Sequence, residues 1–418
     1  MSHGSSPLGR LLPRHAASAI RDALTDTRVV LVTGARQSGK STLVREIVHG
    51  RDAVARNLDQ ASARESARAD PASFVRASGM LAIDEVQRVP ELLLAIKEVV
   101  DVDQRPGRFL LTGSARLLGM RSVPDALPGR METIELWPLS QDEIDETGGG
   151  FIDAIFGQGA EFEHHSGEGR ADYLRRIVRG GFPEAVAREG RRRAKFLDNY
   201  VADIISRDVM QVSEIERGPQ MRALVRLVAA RSGGLLVPGA LAGALGLPRS
   251  TIERYLGLLE EVFLIKRIPA WSRNLSARAV STPKVGMVDS GIAANLLDQD
   301  ERSLSRTGAP LGGLLEGFVT MELARQLTWS RTRAELFHYR TKDKVEVDAV
   351  LEDRRGRVVA IEVKASSTVR PDDFRGINHL AARLGDDFLT GLVLYTGHST
   401  LPFGSKRLAV PIAALWET

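Results

Sequence analysis

The segment GARQSGKS fits the pattern G-x-x-x-x-G-K-[ST]. It consists of Gly34, Ala35, Arg36, Gln37, Ser38, Gly39, Lys40 and Ser41. Such a loop can hold phosphate for a simple reason. The backbone N–H groups of a Gly-rich turn point inward, and with a following helix N-terminus they make an anion cradle. The β-rich run RVVLVTG comes before the loop and the helical TLVREIVHG comes after it, which is the context this motif requires. Lys40 is then expected to bridge the β- and γ-phosphates of a nucleoside triphosphate, and the Ser41 hydroxyl to bind Mg2+. Thr42 falls near the α-phosphate.

A second chemical group lies downstream. The apolar run MLAIDE ends in Asp84 and Glu85. Asp84 would hold the Mg2+ through water, and Glu85 would orient and deprotonate an attacking water. A kinase would not need that second acid, so the pair points to hydrolysis. The next apolar run, RFLLTGSARLL, ends in Thr112 and Ser114, either of which could touch the γ-phosphate or the water. Arg130 in LPGRMETIEL is a candidate for the arginine that stabilises transition-state charge, in cis or from a neighbouring copy, and Arg116 competes with it.

A third group stands near the C-terminus, in VEVDAVLEDRRGRVVAIEVKAS. Asp348 lies in one apolar run, and Glu362-Val-Lys364 closes the next. Alternation of period two places Glu362 and Lys364 on one face of a strand. With Glu316 from a preceding helix, the two acids could share one Mg2+ or Mn2+ ion, or two. The metal would activate water, and Lys364 would steady the reacting charge. The same residues also fit a scaffold in which acids and lysines merely form salt bridges. Both readings stay open.

Elements must position these groups. From Arg28 to about Leu139, five β-rich runs alternate with helical ones, as in a parallel sheet wrapped by helices. ETGGGFIDAIFGQGAEFEHHSGEGR is Gly-rich and reads as a linker or long loop. From Ala171 to Trp271 the pattern is helical. It includes PGALAGALGLPRSTIERYLGLLEEVFLIKRI, which reads as a helix-turn-helix followed by a wing. In it Ile252, Leu256 and Leu259 should face the core, with Tyr255 at the flank. Arg249 and Ser250 stand where such a helix reads DNA. A helix and four β-rich runs follow. The expected fold is α/β, with a P-loop domain at 10–150, a helical and winged segment at 151–285, and a restriction-endonuclease-like domain at 286–418.

Composition sets outer bounds. The chain has 418 residues, with 57 basic against 53 acidic and a net charge of +4, too mild to demand a nucleic-acid partner. The most basic stretch, RADYLRRIVRGGFPEAVAREGRRRAK, reads first as a solvated helical face. There is no cysteine, so disulfides and cysteine-based zinc sites are excluded. His164-His165 reads as an ordinary loop pair rather than a metal site. No long apolar run or signal peptide stands out, and a cytoplasmic protein without a membrane partner is expected.

Several segments resemble one family. LLPRHAASAIRDALTDTRVVLVTGARQSGKSTLVREI, LAIDEVQRVPELL, LPGRMETIELWPLS and RGGFPEAV look like a family of bacterial and archaeal AAA-type ATPases, similar to STAND-like switch ATPases. The C-terminal half of that family is known only as a domain of unknown function of the DUF4143 type. NYVADIISRDV, KVGMVDSGI, GGLLEGFV and the Asp348 to Lys364 segment match it in the same order. The resemblance implies ATP and Mg2+ as ligands. Two functions remain in play. One couples ATP hydrolysis to a nuclease-like domain acting on DNA, and the other is an ATP-driven switch that binds protein partners through an inactive nuclease-like fold. Whether the working form is a monomer or an oligomer is not legible.

Overall fold

The computed structural model describes residues 9–113, 127–209 and 218–418. These fall into two compact units. One comprises Leu12–Leu139 with Glu261–Phe263, and the other is built from Ser140–Glu260 and Leu264–Thr418.

The first unit is organised by five strands: β1 (Val29–Gly34), β2 (Ala53–Asn57), β3 (Met80–Asp84), β4 (Phe109–Thr112) and β5 (Met131–Leu136). They form one parallel sheet in the order β2-β3-β4-β1-β5. β1 and β4 are buried along their whole length, as strands covered on both faces must be. Successive side chains point to opposite faces. Val30 and Val32 therefore join Ile20, Leu43 and Ile47 from helices Ala16–Asp26 and Lys40–Val48. Leu31, Ile83 and Leu111 join Leu92 and Ile96 from helix Leu92–Val102 on the other side. The order matters for chemistry. β4 lies between β1 and β3, so Thr112 stands between the loop after β1 and the acids that end β3.

In the second unit, β6 (Ile265–Ile268) and β7 (Lys284–Met287) form an antiparallel pair. The remaining strands are β8 (Ala334–Arg340), β9 (Glu346–Asp353), β10 (Val358–Lys364), β11 (Phe388–Tyr395), β12 (Leu401–Pro402) and β13 (Arg407–Pro411). They make a mixed sheet in the order β12-β13-β11-β10-β9-β8. β8, β9 and β10 run antiparallel, while β10, β11 and β13 run parallel. The overall class is α/β, and along the chain a helical middle follows the five-stranded sheet and precedes the six-stranded one.

Two expectations need correction. The Gly-rich stretch after residue 145 is not one long loop, because FIDAIFGQ forms helix Phe151–Gln158. Its apolar residues recur at helical spacing, so Phe151, Ile152, Ile155 and Phe156 are buried together, and this burial outweighs the flanking glycines. Tyr255 is not at the flank of its helix. It is buried with Ile252, Leu256 and Leu259, because positions i, i+3, i+4 and i+7 share one stripe. That helix, Arg249–Glu261, follows Pro238–Leu245 across Gly246, whose φ of 62° is the left-handed conformation a helix C-terminus favours. Among the described residues no helix is long and apolar enough to cross a membrane.

Candidate functional site

The phosphate-type loop leaves β1 at Gly34 and enters helix Lys40–Val48 at Gly39. Both glycines are required by geometry. Gly34 has φ +147°, and a Cβ there would stand 2.1 Å from the Leu136 carbonyl oxygen on β5. Gly39 has φ +101°. Gln37 also takes a positive φ of 58°, uncommon for a residue with a side chain, so the loop is held by its surroundings. No side chain caps the first turn of the helix. Ser38 is fully buried and its hydroxyl oxygen has no hydrogen-bond partner among the described residues. Lys40 is 5% exposed, and its ammonium donates to the carbonyls of Gly34 (3.0 Å) and Ala35 (2.8 Å). An uncapped helix start, an orphaned hydroxyl and a buried ammonium in one loop suit a bound polyphosphate.

The loop and the acids meet at Asp84. Ser41 Oγ donates to Asp84 Oδ1 at 3.0 Å, and the Thr112 hydroxyl donates to the same oxygen. Thr112 Oγ1 in turn accepts from the Glu85 backbone N–H at 3.0 Å. Glu85 sits at φ 61°, ψ 45°, a left-handed conformation for a non-glycine residue. Its carboxylate accepts from the Gln87 side-chain amide. Thr112 thus touches both members of the acid pair, while Ser41 holds the first against the loop. Arg130 is not brought to this cluster. It precedes β5, where Met131 pairs with Val29, whereas the loop begins beside Leu136 at the other end of that strand. The separation is about 17–20 Å at ordinary strand rise. Its guanidinium pairs with Asp101 at 2.6 Å. Ser114 and Arg116 lie outside the described residues.

The C-terminal group assembles around a residue that the sequence reading missed. Asp348 on β9 and Glu362 on β10 are neighbours across an antiparallel pair, one step from Ala349 and Ile361. Glu316 comes from helix Leu311–Gln326. Lys284, at the start of β7, pairs with Glu316 and lies 3.0 Å from Asp348 Oδ1. The other Asp348 oxygen accepts the Val363 N–H at 3.0 Å. Lys364 pairs with Glu362 Oε1 at 3.0 Å, and Glu362 Oε2 is buried without a hydrogen-bond partner among the described residues. Lys364 also lies 3.9 Å from Asp373, so four carboxylates meet two ammonium groups, and the ammonium of Lys284 stands between the helix acid and the strand acid.

Burial dominates the electrostatics here. It pushes the Glu316 carboxyl up to about 8 and the Glu362 carboxyl up to about 7, with the negative charge of Asp348 adding to both. Burial alone would lower the Lys284 ammonium, but Asp348 and Glu316 more than offset it and hold its pKa above the ordinary value. Among the described residues no group of three His, Cys, Asp or Glu is arranged as a metal site. His164 instead pairs with Glu417 at 2.8 Å, and His165 with the Ser399 hydroxyl at 2.9 Å.

Comparison with known proteins gives this arrangement a family. An AAA domain matches residues 26–145, and domains of unknown function match residues 170–303 (DUF8612) and 311–415 (DUF4143). Uncharacterized proteins of Mycobacterium tuberculosis and Mycobacterium bovis are each 31% identical over 411 residues, covering 97% of this chain and 85% of theirs. The chain belongs to their family, that of AAA-domain proteins with a DUF4143 C-terminus. Its first unit is an AAA-type ATPase domain, with ATP as its ligand. The Walker-type ATPase of Pyrococcus abyssi is 15% identical with a TM-score of 0.42, covering 69% of this chain and 96% of that one. A STAND protein with a tetratricopeptide repeat sensor from Pyrococcus horikoshii is 10% identical with a TM-score of 0.26, covering 75% and 45%. The basic, helical stretch of this AAA-domain protein falls inside the DUF8612 match.

Proposed function

We propose that this AAA-domain protein binds Mg·ATP on the loop Gly34–Thr42 and hydrolyses it, and that hydrolysis drives a conformational switch. The observation that carries the first part is the convergence of Ser41 and Thr112 on one oxygen of Asp84. Ser41 and Asp84 would hold the Mg2+, which supplies charge neutralisation to the phosphates. Lys40 exchanges its two loop carbonyls for phosphate oxygens, a stronger, charge-assisted pairing. Glu85, fixed through its backbone by Thr112, takes the proton of the attacking water. Phosphate release from ATP in Mg2+ tests this. Lys40→Ala should lose nucleotide binding. Glu85→Gln should keep binding and lose turnover by about a hundredfold or more. Turnover unchanged in Glu85→Gln would remove Glu85 from the role.

For the C-terminal cluster the sequence leaves nuclease and docking module open, and one observation favours the second. The Lys284 ammonium already neutralises Glu316 and Asp348, the acids a nuclease metal would need. We therefore read the resting cluster as an internal ion-pair node, within a domain that ATP state would present to a partner. Incubation with plasmid and single-stranded DNA in Mg2+ or Mn2+, with and without ATP, separates the readings. Cleavage lost in Asp348→Ala would restore the nuclease.

A further inference from the structure

Among the described residues a concentrated run of positive charge lies on helix Gly190–Asp203. This helix opens Gly-Arg-Arg-Arg and has no acidic residue in its first turn. The placement is unfavourable for the helix itself. The N-terminus of a helix carries partial positive charge, so cations there are repelled. Arg191 and Lys195 are also one turn apart, where like charges destabilise a helix. Arg191, Arg192 and Lys195 are exposed, and among the described residues none of them forms an ion pair. A bound polyanion would relieve both penalties at once.

A cleft of about 370 Å³ lies beside these residues, lined by Arg188, Arg191, Arg192, Lys195, Phe196 and Asn199. Among the described residues no carboxylate lines it. That sets it apart from the neighbouring arginine-rich cavity of about 480 Å³, where Glu168, Asp172, Glu189 and Glu301 stand among the arginines. The lining chemistry is also mixed in a particular way. Guanidinium groups match phosphate oxygens bidentately. The Asn199 amide can read a base edge, and Phe196 offers a ring. Phe196 is the outer member of an aromatic row, 6.2 Å from Tyr200, which lies 4.6 Å from Phe182. Arg188 stacks over Phe196 at 5.1 Å while pairing with Glu184. Cations beside a half-buried aromatic make an arrangement that takes single-stranded nucleic acid, because only an unpaired base has a free face to stack.

We infer that the cleft lined by Arg191, Arg192, Lys195, Phe196 and Asn199 binds the backbone and a base of single-stranded nucleic acid. This surface is separate from the helix-turn-helix, whose Arg249 is paired with Glu253 at 2.8 Å, and it does not depend on the ATPase reading.

The test uses the full chain and fluorescence anisotropy. The probes are a labelled single-stranded oligodeoxynucleotide, the same sequence as RNA, its DNA duplex, and a poly-glutamate peptide. Single strands should bind more tightly than duplex and than peptide, and the DNA and RNA arms identify the natural strand. The triple variant Arg191→Glu, Arg192→Glu, Lys195→Glu should lose at least about tenfold in affinity. Its salt slope should fall by about 0.7 for each cation that meets a phosphate. Phe196→Ala should weaken binding with the salt slope unchanged, a result that charge alone does not produce. All these side chains are solvent-facing or half-buried, and a far-UV circular dichroism spectrum and thermal melt like those of the wild type report an intact fold in each variant. Three results overturn the proposal: wild-type protein that binds no single strand, a triple variant that binds as wild type does, or a peptide that competes as well as the oligonucleotide. Loss of binding in Arg249→Ala with the triple variant unaffected would move the site to the helix-turn-helix.

Discussion

The Lys284 ammonium lies 3.0 Å from the Asp348 carboxylate and also pairs with Glu316, and it is nearly sealed from solvent. A buried ion pair of this kind contributes little net stability, because desolvation consumes the Coulombic gain, but removing one partner strands the others. Lys284→Met should therefore destabilise the second unit by about 3–5 kcal/mol. The variant leaves Glu316 and Asp348 without their shared counter-cation. Mn2+ should then raise the melting temperature of Lys284→Met more than that of the wild type. Thermal unfolding of both proteins with and without Mn2+ reads this directly. An unchanged melting temperature, or equal metal effects, would remove Lys284 from the counter-cation role.

Thr112 serves two residues with one hydroxyl, donating to Asp84 and accepting from the Glu85 N–H. Thr112→Val keeps the shape and removes both bonds. A hydrogen bond to a charged group contributes about 1.5–3 kcal/mol, so ATP turnover should fall about ten- to a hundredfold. The loss should appear in kcat with KM little changed, because the residue orients the acids and does not hold the nucleotide. Thr112→Ser should recover most of the activity. A defect in KM alone would mean that Thr112 acts on binding.

The two chemical clusters differ in how far the sequence disclosed them. Gly34 to Ser41 is contiguous, and its chemistry is backbone chemistry, so the pattern carries its own geometry. Asp84, Glu85 and Thr112 end buried strands, and parallel order brings such ends together. Lys284 is different. It stands 64 residues from Asp348, and only the placement of β7 joins them. One signal was present: a lysine opening the short apolar run KVGM, where every residue proves buried. A lysine is seldom buried without a carboxylate partner, and that rule could have prompted the search. Arg130 shows the opposite case. Its neighbourhood in sequence suggested the site, yet parallel pairing of β5 with β1 carries it to the far end of the sheet. Helix Phe151–Gln158 was hidden by the glycines on either side of it.

His338 on β8 gives the second unit a pH-dependent term. It is 1% exposed, and Nε2 faces the Thr282 carbonyl at 3.1 Å, while Nδ1 is buried without a partner among the described residues. Burial lowers its pKa from 6.5 to about 4, and the positive charge of Lys284 adds to this; the Thr282 carbonyl raises it, Arg340 lowers it and Asp348 raises it. Between about pH 4 and 6.5 the unfolded chain binds a proton that the folded chain does not, so stability falls as pH falls through that window. The full effect is about 3 kcal/mol at the acid end. Glu316 and Glu362 act with the opposite sign, because their raised values favour the folded state as pH drops. Comparing wild type with His338→Gln by urea unfolding at pH 7 and pH 5 isolates the histidine. The variant should lose less stability than the wild type on acidification. Equal losses would show that His338 does not carry the effect.

Gly34 binds the phosphate loop to the sheet, which makes it the position where fold and chemistry are hardest to separate. Its φ of +147° disfavours any side chain, and a Cβ would come within 2.1 Å of the Leu136 carbonyl oxygen. That oxygen belongs to the backbone of β5, which pairs with β1 up to Gly34 itself, so it cannot move away cheaply. Gly34→Ala should cost about 3–5 kcal/mol through backbone strain and overpacking together. Gly39→Ala provides the contrast. The nearest atom to its Cβ would be the flexible Arg14 guanidinium, at 3.5 Å, so only the φ of +101° opposes the change. That variant should lose about 1–3 kcal/mol and remain folded, with weaker nucleotide binding from a distorted helix start. Denaturant unfolding of the two variants, with ATP binding measured on whichever stays folded, decides the matter. Equal stabilities for the two would mean that β5 yields at Leu136 and that the loop tolerates a side chain at its base.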